Sequence, residues 1–184
     1  MKNIYLLPAL LFTLLLLGSC SSDDDTPELV NEEELITTLT VTLVPEGGGT
    51  SITLTTQDLD GDGPNEPIIS VSSNLSAGVT YNGSISLLNE TESPAENITE
   101  EVEEEADEHQ FFYTIGSGLA ITATATNFDS DGNALGTEFS LVAVDTSTGL
   151  LTFTLRHEPN KPADNLATAG GETDIEATFT VTVE

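Results

Sequence analysis

The chain has 184 residues, 32 of them Asp or Glu and only 3 Lys or Arg, for a formal net charge of -29 at pH 7. So few cations cannot neutralise a phosphate backbone, which excludes DNA and RNA as partners and disfavours an anionic lipid surface. Apolar residues still make up 38% of the chain and charged ones only 19%, enough material for one folded core and too much for wholesale disorder.

Residues 1–20 come first. Lys2 precedes an apolar run that ends in Leu17-Gly18-Ser19-Cys20. The run is too short for a stable membrane span and closes on small residues, so it reads as a cleaved leader. It resembles a bacterial lipoprotein signal: the Leu-Gly-Ser-Cys box is where such a leader, 1–19, is cut and where Cys20 is acylated. Cys20 is the only cysteine, and its lipidation leaves no disulfide, thiolate nucleophile or cysteine metal ligand. Ser21-Ser22-Asp23-Asp24-Asp25 resembles the acidic export tag of Bacteroidetes surface lipoproteins. The acidic stretch that follows, with Pro27 and no periodicity, reads as a tether, 20–34. Without Lys2 the chain keeps Arg156 and Lys161 against 32 acids, so its acyl chains, not its surface, must hold it at a membrane.

From residue 35 to 184 the sequence predicts a single domain with two-residue alternation. Leu39, Val41 and Leu43 alternate with threonines, as do Ile52 and Leu54, then Leu119, Ile121, Ala123 and Ala125. The pattern returns at Leu151, Phe153 and Leu155, and at Ile175, Ala177, Phe179, Val181 and Val183. One apolar face and one threonine face are what antiparallel strands buried on one side require. Turn residues punctuate them at Glu46-Gly47-Gly48-Gly49, Asp129-Ser130-Asp131-Gly132-Asn133 and Ser147-Thr148-Gly149. The strands are placed at 36–44, 51–57, 67–73, 79–89, 110–116, 119–127, 136–145, 150–157 and 174–183. The fold class is therefore all-β, an antiparallel immunoglobulin-like β-sandwich of eight or nine strands with one short acidic helix or connector. That connector is 93–108, where Ile98 and Val102 stand i, i+4 among glutamates and Thr99 is a candidate cap.

Two places suggest cations. In Asp58-Leu59-Asp60-Gly61-Asp62-Gly63-Pro64-Asn65-Glu66 the alternate carboxylates have calcium-loop spacing, because a tight loop brings such positions together around one ion. The ligands would be Asp58, Asp60, Asp62, the Pro64 carbonyl and Glu66, with Ca²⁺ bound in the weak extracellular class. The EF-hand match is partial, since its twelfth position is Ile69 and no helices flank it.

The second place uses the only two histidines. His109 opens a strand just after Glu108, and His157 closes one just before Glu158. If 109–158 forms a four-strand meander, both histidines and the Asp129-Asp131 turn fall at one end. His157 also shares the inward phase of Leu151, Phe153 and Leu155. Imidazoles flanked by carboxylates suit Zn²⁺ or Cu²⁺. Rim histidines without a metal are the plain alternative.

Enzymatic signals are thin: there is no G-x-S-x-G, H-E-x-x-H, phosphate loop or dinucleotide fingerprint. Carboxylates are plentiful, but a chain without Trp makes a poor sugar-stacking cleft.

The leader, Cys20 with its SSDDD tail, the NEEELITTLTVTL strand, the DLDGDGPNEP loop and the DEHQFFY and LRHEP segments together resemble a small flavobacterial lipoprotein family of the Bacteroidetes. Its members often carry a type 1 periplasmic-binding fold label. That fold is two-lobed α/β, and the alternating strands do not support it here. The resemblance implies address and lineage, not an activity. These readings predict an outer-membrane lipoprotein, displayed on the cell surface, that acts as a non-enzymatic binding module for a cation or small ligand beside an outer-membrane transporter. Display on the periplasmic face, a calcium-stiffened adhesion or structural module, and a carboxylate-based hydrolase are the alternatives.

Overall fold

The protein is described from a computed structural model that covers residues 34–61 and 63–184. The leader, Cys20, the Asp23–Asp25 tag and most of the tether lie outside the described residues, as does Asp62.

Ten antiparallel strands form two packed sheets. The first sheet runs β3 (Ile68–Val71), β2 (Ile52–Gln57), β1 (Thr38–Pro45), β4 (Thr80–Asn89), β8 (Glu138–Ala143) and β7 (Ile121–Ala125), with a two-residue β5 (Glu96–Asn97) pairing off β4. The second has three strands, β10 (Glu172–Val183), β9 (Ser147–His157) and β6 (His109–Ile115). The alternation translates directly into layers. Leu39, Val41, Leu43, Leu54, Leu87, Phe139 and Leu141 of the first sheet are buried, and so are Leu151, Phe153, Leu155, Phe179 and Val181 of the second. Threonines hold the outer faces: Thr152 and Thr178, opposite each other on β9 and β10, share a 2.8 Å hydroxyl hydrogen bond. At the centre of the core Tyr113, Phe139, Phe153 and Phe179 pack in series, with ring centroids 4.9–6.1 Å apart in tilted or edge-on pairs, the arrangement that aromatic quadrupoles favour.

The sandwich and its nine expected strands are present. The sheets are more unequal than the four-and-three division of an immunoglobulin constant domain. The meander expected over 109–158 is split: β6 and β9 pair with each other in one sheet, while β7 and β8 pair in the other. Alternation is the same for a strand in either layer, so the pattern cannot say which layer it joins.

The acidic segment does form a helix, α1 (Ile98–Glu104), and Ile98 and Val102 are its buried residues. Thr99 is not its cap. The N-cap position is Asn97, without a side-chain cap bond, and Thr99 instead ties the helix to β4: its hydroxyl accepts from Leu87 N–H at 2.8 Å and donates to the Leu87 carbonyl at 3.3 Å. A helix of about two turns is too short to hold itself together. Docking two aliphatic side chains on β4 is what stabilises it.

Candidate metal centre

His109 is the first residue of β6 and His157 the last of β9, and antiparallel pairing sets them directly opposite each other. Their rings stack with centroids 4.7 Å apart and planes 20° from parallel. Both share the inward phase of their strands, so both are buried, at 0% and 4% exposure. An inward histidine at the rim of a sandwich must find polar partners or lose its hydration without compensation.

Two carboxylates meet the pair. Glu34, the first described residue, lies ahead of β1, and its Oε1 is 3.0 Å from His109 Nε2 while its Oε2 is 3.9 Å from His157 Nδ1. Asp174 lies 3.8 Å from each histidine, through Oδ2 to His109 Nε2 and through Oδ1 to His157 Nδ1. Its side chain is fully buried and that of Glu34 nearly so, at 8%. Strict alternation would turn Asp174 outward, because Ile175, Ala177 and Phe179 point in. The register with β9 shifts between Thr173 and Ile175, making Asp174 the inserted residue of a β-bulge, and a bulge re-aims a side chain. Gly171 permits the close approach that precedes it. A Cβ there would sit 2.0 Å from the His157 carbonyl oxygen, and its φ of +67° is open to glycine.

Each of the four residues offers one ligand atom, and these atoms all lie within 4.8 Å of one another. Zinc bonds of about 2.0–2.2 Å place tetrahedral neighbours about 3.4 Å apart, and the observed 3.0, 3.8, 3.8 and 3.9 Å bracket that spacing. His109 is already oriented as a ligand. Its Nδ1 lies 3.1 Å from the Glu105 carbonyl, which can only accept, while its Nε2 faces the Glu34 carboxylate at 3.0 Å. This outer hydrogen bond is the usual way a protein fixes the tautomer of a metal-binding imidazole. Buried His109 Nε2, His157 Nδ1 and Glu34 Oε2 make no hydrogen bond of their own. The stacked rings must tilt apart for both nitrogens to face one ion.

Glu108 and Glu158 lie on the solvent side of the same pair. Glu108 Oε2 is 3.7 Å from His157 Nε2, and Glu108, His157 and Glu158 form a second, partly exposed group of ligand atoms. Sequence reasoning therefore finds both histidines and the outer carboxylates but misses Glu34 and Asp174. Glu34 is hidden in an acidic run, and only the bulge turns Asp174 inward.

The Asp129 turn does lie toward this end, but its carboxylate is engaged elsewhere. Asp129 Oδ1 accepts from the Asp131 and Asn133 amides at 3.0 and 2.8 Å, and Oδ2 from Lys161 Nζ at 3.2 Å. Burial pushes this carboxyl up, yet the Asn133 hydrogen bonds and the Lys161 ammonium outweigh it and hold the group below the usual carboxylate range. In the calcium-like loop, Asp58 Oδ1 accepts from the Asp60 amide at 3.3 Å, and Asp60 Oδ2 accepts the Asn65 side-chain amide at 2.5 Å. Glu66 is exposed. Among the described residues these carboxylates do not gather into a group of three.

Compared with protein-family models, with curated proteins and with solved structures, the chain matches none.

Proposed function

We propose that the protein is an outer-membrane lipoprotein, anchored through Cys20 and displayed on the cell surface, whose sandwich is a non-enzymatic binding module for a divalent transition metal. The ion is held by Glu34, His109, His157 and Asp174. One observation carries this reading: two stacked, buried imidazoles whose inward nitrogens make no hydrogen bond and face two buried carboxylates. Four protein ligands in a closed pocket leave no position for substrate, which favours a retained or captured ion over catalysis. Nitrogen and oxygen donors suit Zn²⁺ or Cu²⁺ better than Ca²⁺, whose sites are built from oxygen. The leader's lipobox, the acidic tag and a net charge that concentrates cations near the surface support the address and the capture role. An outer-membrane transporter is the natural recipient of a captured ion.

Calorimetric titration of the full chain in detergent with Zn²⁺, Cu²⁺ and Ca²⁺ tests the reading. The expected result is one transition-metal ion per chain, bound tighter than micromolar and lost in His109→Ala and in His157→Ala. Binding no tighter than millimolar, or unchanged in both variants, removes the site.

A further inference from the structure

His157 has two faces. Its Nδ1 looks inward at Glu34 and Asp174, 3.9 and 3.8 Å away, while its Nε2 looks outward at Glu108 Oε2, 3.7 Å away. The two sides differ in access. The inner carboxylates are at most 8% exposed, whereas the Glu108 side chain is 52% exposed and Glu158 is also on the surface. An ion arriving with its water shell cannot enter the inner pocket directly.

Local geometry holds the outer donors together. Glu108 immediately precedes β6 and Glu158 immediately follows β9, and the Glu158 amide donates to the Glu108 carbonyl at 2.7 Å. That bond closes the rim across the two strand ends. Glu158 takes a left-handed backbone, φ +47°, rare for a side chain of its kind. The His157 side chain, 5% exposed, aims Nε2 at Glu108 Oε2, 3.7 Å away, and Glu158 belongs to the same group of ligand atoms.

We propose that Glu108, Glu158 and His157 Nε2 form an outer loading site for the same divalent ion, from which it passes to the buried four-residue centre. The proposal rests on the inner site assigned above. A neutral imidazole has one lone pair, so His157 cannot serve both sites at once. With the ion outside, Nε2 is the ligand and the proton on Nδ1 points at the Glu34 and Asp174 carboxylates. With the ion inside, Nδ1 is the ligand and the proton on Nε2 points at Glu108. Three donors with an open face suit a hydrated, exchanging ion, and four in a closed pocket suit a retained one.

The test measures Zn²⁺ uptake by the full chain in stopped flow, following free Zn²⁺ with a fluorescent indicator, beside equilibrium affinity and stoichiometry. Glu108→Gln/Glu158→Gln should slow uptake by about tenfold or more, the scale on which local charge steers association, with one ion still bound at unchanged affinity. Glu46→Gln/Glu184→Gln, at the far ends of β1 and β10, removes equal charge and should leave the rate alone. Equal uptake rates in the two double variants, with tight binding intact, would overturn the loading site and leave the inner centre standing. A fall in affinity matching the fall in rate would overturn it too, by making the outer glutamates ligands of the final state. No Zn²⁺ bound by the unaltered chain would overturn both readings.

Discussion

Lys161 is the only lysine among the described residues, and it is not on display. Its side chain is 6% exposed and that of Asp129 1%, with Nζ 3.2 Å from Oδ2, and the same ammonium also donates to the Ala106 carbonyl just before β6. A charge buried this deeply survives only with a partner, and removing one member costs more than the pair contributes. Lys161→Met keeps the aliphatic stem but leaves Asp129 to its Asn133 and Asp131 amides. We expect a loss of about 2 kcal/mol at neutral pH, read from urea unfolding. The pH dependence has a defined sign. Asp129 is held below its unfolded value, so its stabilisation is present above that value, near 4, and disappears as pH falls through the folded one. Acidification should therefore cost the Lys161→Met protein less than the unaltered protein. An equal loss in both would show that Lys161 does not set the Asp129 carboxyl.

At the scale of elements, the pairing of β4 with β8 depends on a missing side chain. Gly83 faces Phe139 across the ladder, and a Cβ at Gly83 would come 2.3 Å from the Phe139 ring. The ring cannot retreat, because Tyr113 and Phe153 pack on it with centroids at 4.9 and 5.6 Å. Gly83→Ala should cost about 1–3 kcal/mol by overpacking, seen as a lower urea midpoint with an unchanged slope. Gly83→Ala together with Phe139→Leu should recover part of it. Elements of this kind were legible where burial has a period. Every strand with a two-residue apolar alternation was found from β1 to β10, and Ile98 with Val102 marked the buried side of α1. β5 was not, since Glu96-Asn97 has no apolar residue to show. The candidate centre was legible in the same measure. His109 and His157 occupy inward phases of regular strands, whereas Asp174 owes its direction to an extra residue and Glu34 to the path of the chain ahead of β1. Neither of these is a repeating pattern.

For the whole molecule the charge is more one-sided than its count suggests. Arg156, half-buried, donates to the Gly170 carbonyl at 3.0 Å and to the Thr173 hydroxyl, and Lys161 is buried, so only one cation of the folded domain reaches the surface. What remains outside is almost wholly anionic. Self-repulsion of that shell opposes compaction, and salt relieves it, as the Debye length shrinks from about 30 Å at about 0.01 M to about 8 Å at about 0.15 M. The buried Lys161–Asp129 pair is screened far less. The thermal midpoint should thus rise over that range of NaCl. A fall would mean that surface ion pairs outweigh the repulsion.

The four inner donors come from residues 34, 109, 157 and 174, a span that begins ahead of the first strand and ends inside the last. A chain that starts after Glu34 or stops before Asp174 lacks at least one of them. A polypeptide still emerging from a ribosome or a membrane pore presents three at most until its final strand has paired and bulged. In the binding role proposed above, ion retention therefore separates a chain whose span from Glu34 to Asp174 is folded from one that breaks off within it.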